Sequence, residues 1–461
     1  MKKNFFVGFI ALTALTVTSC SNDDVVMQSP EVNKAIEFGT YVGRDAVSRA
    51  SVHTMSTLAG QNGLGFGVFA YYTNEGDYVT TTSPCNFMYN QQVKITETTD
   101  GNNTTYACSY TPIKYWPNDP GDKLTFFAYA PYDDSDNTGD ADNIKFNTLA
   151  EMNGDPVITF TVNNTVKNQT DLLFSKSNTK DLVKNADADA GIYVNGKVEF
   201  QFAHALSRIG FTVKAIVDEV TAGSNKLDAA TTIVLKKVIL SGAAHNPAKD
   251  DVFQAPSEGI FYTQGKLNLN QQATNNQRNY IWTDIVGDDN DDAKQIFTLT
   301  NENFATQTKG SEETNYFGMF DAEGFILTED TKILNTANST TANKLNADDS
   351  YIMIIPQDLS SAGFYVYVEY DVITIDQNIG NDSNTYDGLK SKVTNHISTQ
   401  VTGINFQSGK AYTLNLQLGM TSVKVDAVVD PWSEVQTGTP VDLPQNTQQQ
   451  PQNPQQQPQN P

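Results

Sequence analysis

Cysteine is nearly missing from this chain: there are three in 461 residues, at positions 20, 85 and 108. A fold stapled by several disulfides is therefore excluded. Histidine is almost as scarce. His53, His204, His245 and His396 stand outside metal-ligand spacing of one another, and neither an HExxH nor a paired CxxC occurs. His204, inside Phe202-Ala-His-Ala-Leu206, reads as a structural residue at a strand end. Basic residues are in deficit, 30 against 53 acidic ones, for a net charge of −23. That balance argues against nucleic acid and against adhesion to an anionic membrane surface. Long helical periodicities are few. No GxSxG, P-loop or GxGxxG stands in a strand–turn–helix setting, and Gly63, Gly65 and Gly67 are spaced as strand glycines. No catalytic constellation stands out, so neither an enzyme nor a cofactor or metal site is expected, although a glycosidase needs only two carboxylates.

What is present is strand. Thr, Asn, Asp, Gly, Tyr and Phe are plentiful, and short apolar or alternating runs recur between turn residues, as in an extracellular all-β protein. The runs at 63–72, 87–95, 104–115, 124–132, 157–162, 172–174 and 192–202 form one series. Those at 209–217, 232–240, 259–269, 295–299, 325–327, 351–355, 364–375, 411–418 and 423–429 form a second. Asn195-Gly196 is a strong hairpin signal. A hairpin turning at Asp100-Gly101 would not set Cys85 opposite Cys108, so register does not support a disulfide between them. Polar stretches at 270–294 and 377–400 read as long loops. Residues 445–461 (QNTQQQPQNPQQQPQNP) hold no apolar side chain besides proline and cannot offset the entropy of ordering.

Two acidic clusters, Asp134 to Gly139 and Asp288 to Asp292, read as solvated loops, because the first has Lys145 where an EF-hand needs an acid. Tyr78, Trp116 and Trp282 are the aromatics suited to stacking on a sugar.

At the N-terminus, Lys2 and Lys3 precede an apolar run from Phe5 to Val17, too short to span a membrane, that ends in Val17-Thr-Ser-Cys20. A cysteine at the cut site of a secretory signal resembles a bacterial lipobox, with the Cys20 thiol acylated. Ser21-Asn-Asp-Asp24 behind it resembles a signal for export to the outer leaflet.

The opening stretch Ile36-Glu-Phe-Gly-Thr-Tyr-Val42 alternates strictly, with Ile36, Phe38, Thr40 and Val42 on one face. Arg44 and Arg49 follow among small and polar residues. The stretch reads either as an ordinary first strand with its exit loop or as a strand meant to be cut away, with Arg49-Ala50 as the scissile bond. Arg49 is preferred to Arg44 because Ser48 and Ala50 are small and the site lies further from the strand. A comparable alternation closes the chain. Val423, Val425, Ala427 and Val429 share one face, while Ser422, Lys424, Asp426 and Asp430 lie opposite, with Val428 the exception. This segment is either the last strand of its own domain or a donor to another molecule.

In order, the lipobox, IEFGTYVGR…SRA, GFGVFAYY, YTPIKYWP…DKLTFFAYAPY, DLLFS, VEFQFAHALSRIGFTVK, YIMIIPQDL and VKVDAVVDPW make the chain resemble the fimbrillin family of type V pilins, which are surface lipoproteins of Gram-negative anaerobes. The glutamine- and proline-rich tail is not part of that pattern. The resemblance implies an all-β protein of two transthyretin-like Greek-key β-sandwich domains after a lipoprotein signal peptide. Carried onto this chain, residues 1–19 are the signal peptide and 20–49 a lipidated propeptide with the first strand. Residues 50–199 and 200–436 are the two sandwiches, and 437–461 a disordered tail. It further implies a structural fimbrial subunit at the cell outer membrane and fimbrium, with a role in adhesion or biofilm and a lipid (palmitate) on Cys20 before processing. An arginine-specific protease would cut between Arg49 and Ala50. Loss of the Ile36–Val42 strand would then let a C-terminal segment of another pilin subunit enter, building a homopolymer. The ligand on a host or bacterial surface is left open. Two alternatives remain: a surface glycan-binding lipoprotein, and an uncleaved lipid-anchored tip or anchor pilin.

Overall fold

The computed structural model describes residues 34–42, 58–59, 64–100, 103–119, 121–134, 143–176, 179–184, 193–194, 197–216, 231–249, 252–270, 282–286, 294–304, 324–327, 332–333, 351–375, 390–431 and 440–441. Cys20, Arg44, Arg49, Ala50, the cluster Asp288 to Asp292, most of the cluster after Asp134 and nearly all of the 437–461 tail lie outside them.

The described chain is all-β. In the first part run β1 (Glu37–Val42), β2 (Phe66–Tyr72), β3 (Met88–Asp100), β4 (Asn103–Ser109), β5 (Leu124–Ala130), β6 (Ile144–Phe146), β7 (Val157–Thr161), β8 (Leu173–Ser175), β9 (Tyr193–Val194) and β10 (Lys197–His204). Then come β11 (Ser207–Ala215), β12 (Thr231–Ser241), β13 (Asn246–Lys249), β14 (Val252–Gln254), β15 (Gln264–Asn268), β16 (Trp282–Val286), β17 (Phe297–Leu299), β18 (Phe325–Ile326), β19 (Lys332–Ile333) and β20 (Ile352–Ile354). The series closes with β21 (Phe364–Ile375), β22 (Lys390–Val401), β23 (Lys410–Leu418), β24 (Val423–Pro431) and β25 (Pro440–Val441).

The first sheet runs β1-β10-β8-β5-β2-β3-β4, with β9 added to β10. Its central strands read as continuous apolar runs because both their faces are covered. Every residue of β5 (LTFFAYA) is buried. In β2, Phe66, Val68 and Ala70 enter one cluster while Phe69 and Tyr71 enter another. The hairpin expected around Asn195-Gly196 is present, with Val194 opposite Lys197. So is the hairpin at Asp100, which pairs with Asn103. Cys108 lies opposite Ile95, and Cys85 and Cys108 are both free thiols.

The second half supplies the sheet β19-β11-β23-β24-β25, with β20 added to β11, and the sheet β17-β12-β21-β22, with β18 added to β12. One further sheet joins residues from either side of position 200. In the order β16-β15-β7-β6, Gly265 of β15 lies opposite Phe160 of β7. A single cluster containing Phe160, Phe211, Phe261, Phe297 and Leu414 runs through these layers.

Three readings need correction. Residues 282–286, expected within a long loop, form β16, paired with β15. Residues 390–400, expected within another, belong to β22, paired with β21 residue by residue from Phe364↔Val401 to Ile375↔Lys390. Its side chains are mostly polar because β22 is an edge strand, and polar, charged edges discourage stray pairing. Within the tail, Pro440 and Val441 pair with Val428 and Ala427.

Candidate functional site

The site is the groove that β1 fills. Its lead-in is fixed by antiparallel contacts: the Ile36 amide donates to the Lys114 carbonyl at 2.9 Å and the Trp116 amide to the Lys34 carbonyl at 3.0 Å. From Glu37 onward β1 runs parallel to β10, with Glu37↔Lys197, Gly39↔Glu199 and Val42↔Phe202 in register. Among the described residues, β10 is the only strand with which β1 forms a ladder. β1 thus closes one end of the sheet and β4 the other. The chain just after β4 touches β1: Tyr110 donates its hydroxyl to the Ile36 carbonyl at 2.9 Å, and its ring centroid lies 5.2 Å from that of Phe38.

The alternation of β1 explains why it seals. Ile36 and Phe38 point inward and are 1% and 4% exposed. Phe38 stacks on Phe200 at 5.6 Å and meets Phe126 edge-on at 5.8 Å and Phe66 at 6.5 Å. Phe202 and Trp116 complete the lining. Each of the two inward side chains contributes roughly 1.5–3 kcal/mol by leaving water. The fit has one flaw. Thr40 Oγ1 is buried without a hydrogen-bond partner, and such an orphan costs about 1–3 kcal/mol.

On the outer face, Gly39 is glycine for a visible reason. A β-carbon there would collide with the Glu199 carboxylate, which lies across the strand. Burial, opposed by the nearby Lys197 ammonium, pushes the Glu199 carboxyl above its ordinary value of 4.5. When β1 leaves, Glu199 regains contact with water and its carboxyl moves back down toward that ordinary value. The released form then loses its proton first as pH rises, so docking is penalised above that value and favoured below it. Amide protection of residues 37–42 is therefore expected to be higher near pH 4.5 than at pH 7, with the difference shrinking in Glu199→Gln. Hydrogen exchange at the two pH values, corrected for intrinsic rates, checks this. An unchanged pH response in the variant refutes it.

The other sequence-stretch of interest, β24, forms a hairpin with β23 from Leu418↔Val423 to Lys410↔Pro431, closed by the Gly419 amide on the Ser422 carbonyl at 2.7 Å. Ala427 is buried, whereas Val423, Val425 and Val429 are only partly buried against the core. Lys424 and Asp426 are exposed. Of the two readings open from sequence, an intrachain last strand is the one this structure holds.

The stacking aromatics do not survive inspection as a sugar platform. Tyr78, Trp116 and Trp282 are 8%, 4% and 5% exposed. Tyr78 donates its hydroxyl to Asp155 at 3.0 Å and Trp282 donates its indole N–H to the Ala205 carbonyl at 2.9 Å. They are core residues. His204 is structural as well, its Nδ1 lying 2.8 Å from the Asp171 carboxylate. No group of three or more metal-ligating side chains occurs among the described residues. Glu199 was not visible from sequence as part of the site, since only the β1–β10 register brings it over Gly39.

An all-β chain whose first strand plugs an aromatic trench is the class the geometry defines. Residues 49–317 match the fimbrillin-like family, and the chain belongs to that family. It is similar to the fimbrium subunit Fim1C of Phocaeicola vulgatus, 29% identical over 308 residues that cover 63% of this chain and 73% of that one. In fold it is similar to a fimbrial protein from Bacteroides vulgatus solved by crystallography, with a TM-score of 0.57 at 20% identity, covering 87% of this chain and 100% of that one.

Proposed function

We propose that this protein is a structural, non-enzymatic subunit of a type V fimbria on the bacterial surface, assembled by protease-triggered strand exchange. It reaches the outer membrane as a lipoprotein acylated on Cys20, and an arginine-specific protease cuts at Arg49-Ala50. The observation that carries this reading is the placement of β1: a single parallel ladder at the end of a sheet, with Ile36 and Phe38 sealing an aromatic trench. Removing such a strand leaves unpaired backbone groups beside exposed apolar surface, an edge ready for β-augmentation. The similarity to a fimbrium subunit supports the assembly role, and the family match opens at residue 49, one residue before the proposed mature terminus Ala50. The division into a first sandwich from residue 50 and a second from residue 200 belongs to the same proposal.

The chain holds four arginines, at 44, 49, 208 and 278. Arg208 is held within β11 with its guanidinium 4.4 Å from the Tyr351 ring, which protects it from a protease that needs extended, accessible substrate. N-terminal sequencing of protein from the cell surface is expected to begin at Ala50, with denaturant-resistant multimers present. Arg49→Gln is expected to leave the chain long, lipid-bearing and monomeric. A blocked Cys20 terminus on multimeric protein would sink the proposal and favour an uncleaved anchor subunit.

A further inference from the structure

The alternation of β21 places Val366, Val368 and Tyr370 in the main core, so Tyr367 and Glu369 stand on the other face of that sheet. A tyrosine there would ordinarily meet water, yet Tyr367 is fully buried. What covers it is the hairpin β13–β14, a two-stranded sheet that forms no ladder with any other strand among the described residues. Side chains hold the hairpin instead. Phe253 of β14 stacks face to face on His396 of β22 at 3.8 Å, and lies 5.8 Å from His245 and 5.9 Å from Tyr367. His245, at the root of β13, donates its amide to the Ser398 hydroxyl oxygen at 2.9 Å, and its Nδ1 lies 2.8 Å from the same oxygen. One phenyl ring therefore packs against two imidazoles.

We propose that β13–β14 is an acid-released strap: with His245 and His396 neutral it stays closed over Tyr367, and with both charged it lifts and uncovers that ring. The register fixes the surroundings. Lys237, Glu369 and His396 stand in one row across β12, β21 and β22, with Tyr367 and Ser398 in the next. Lys237 pairs with Glu369 at 3.5 Å, and further along that face Lys392 pairs with Asp371 at 3.5 Å. Tyr367 has one hydroxyl hydrogen and two acceptors, His396 Nδ1 at 2.8 Å and Glu369 at 3.3 Å. Burial and the Glu369 carboxylate push that hydroxyl above its ordinary range, so it stays a donor. A proton on His396 is met by turning the Tyr367 hydrogen to Glu369, which frees the phenol oxygen to accept. His245 meets a serine instead of a carboxylate. Its neutral ring accepts the Ser398 hydrogen, whereas a charged ring turns that hydrogen away. Burial, and then the charge on His396, hold the His245 ring below its ordinary value of 6.5. Lifting the strap gives His245 more water and moves it back up toward that value. The open form then takes up the proton more readily, so the closed form is favoured above that value and loses ground as pH falls through it. The device uses no residue of the β1 groove and stands or falls apart from strand exchange.

Hydrogen exchange on the full chain, corrected for intrinsic rates, tests this at about pH 7.5 and about pH 5, on either side of an ordinary histidine. Protection of β13 and β14 is expected to fall about tenfold at the lower pH, while that of β12 and β21 beneath them holds. His245→Gln keeps a side chain that can hydrogen-bond but cannot charge, and is expected to leave the strap closed at both pH values. His396→Gln removes the charge that opposes His245 and is expected to weaken the acid response. Phe253→Ala takes away the ring that both imidazoles hold, and is expected to leave the strap open at both. Thermal unfolding of each variant separates a folding defect from release of the strap. Equal wild-type protection at the two pH values would overturn the proposal. So would a full acid response in His245→Gln, or a strap that stays closed at both pH values in Phe253→Ala.

Discussion

Phe38→Ala is expected to free the first strand while leaving the rest of the protein folded. Phe38 is 4% exposed and its ring touches Tyr110, Phe126 and Phe200 at centroid distances of 5.2 to 5.8 Å. Truncating a buried phenylalanine costs about 3–5 kcal/mol, from lost transfer energy and an unfilled cavity. The backbone of β1 is held by one parallel ladder and a short antiparallel lead-in, so little else resists its departure. A loss of that size multiplies the released fraction at least about a hundredfold. Hydrogen exchange should show protection of residues 37–42 collapsing while that of β2 and β5, buried on both faces, stays near wild type. The variant should also multimerise without protease, because the trench opens on its own. Equal loss of protection across the whole first sheet would mean that β1 is integral to that sheet.

The part of this arrangement that depends on neighbouring residues was open to reading. The alternation Ile36, Phe38, Thr40, Val42 announces a strand with one buried face, and burial of Ile36 and Phe38 follows from it. Continuous apolar runs such as LTFFAYA announce strands covered on both sides. Partnership across long sequence distances was not legible. Nothing in residues 36–42 says that β1 runs parallel to a strand 160 residues away. The Glu199 carboxylate over Gly39 follows from that pairing alone. β22 was missed for a related reason. Of its apolar residues Val393, Ile397 and Val401, four apart, Val393 is exposed, and its twelve register pairs with β21 hold it in place of a pattern of its own. The burial of the aromatics suited by type to stacking on a sugar was not legible either, since composition does not distinguish an exposed tryptophan from one whose N–H is satisfied by a carbonyl 77 residues away.

Gln169→Ala is expected to cost about 2–4 kcal/mol, the second large effect, and it bears on what a fimbrial subunit must withstand. A polymer under tension is no stronger than the joints inside each subunit. The Gln169 side chain ties the segment after β7 to β20. It is 2% exposed, donates to the Met353 carbonyl at 3.1 Å and the Asn163 carbonyl at 2.9 Å, and accepts from the Met353 amide at 2.7 Å. It therefore acts as a surrogate backbone, meeting both groups of Met353 as a strand would. Alanine removes all three bonds at once and leaves a buried amide and two carbonyls to find water, each such orphan costing about 1–3 kcal/mol. The total is held below the sum because a water molecule can enter the space vacated by the side chain. Nearby, the Ala205 carbonyl accepts from both Trp282 and Ser408, so this junction has a second tie that Gln169→Ala leaves intact. Denaturant unfolding should show a lower midpoint with an unchanged slope if the halves still unfold together. Two separated transitions would show that Gln169 is what makes them cooperate. A midpoint within error of wild type would place the strength of the joint in the shared sheet β16-β15-β7-β6, where β15 is paired along its length with β7.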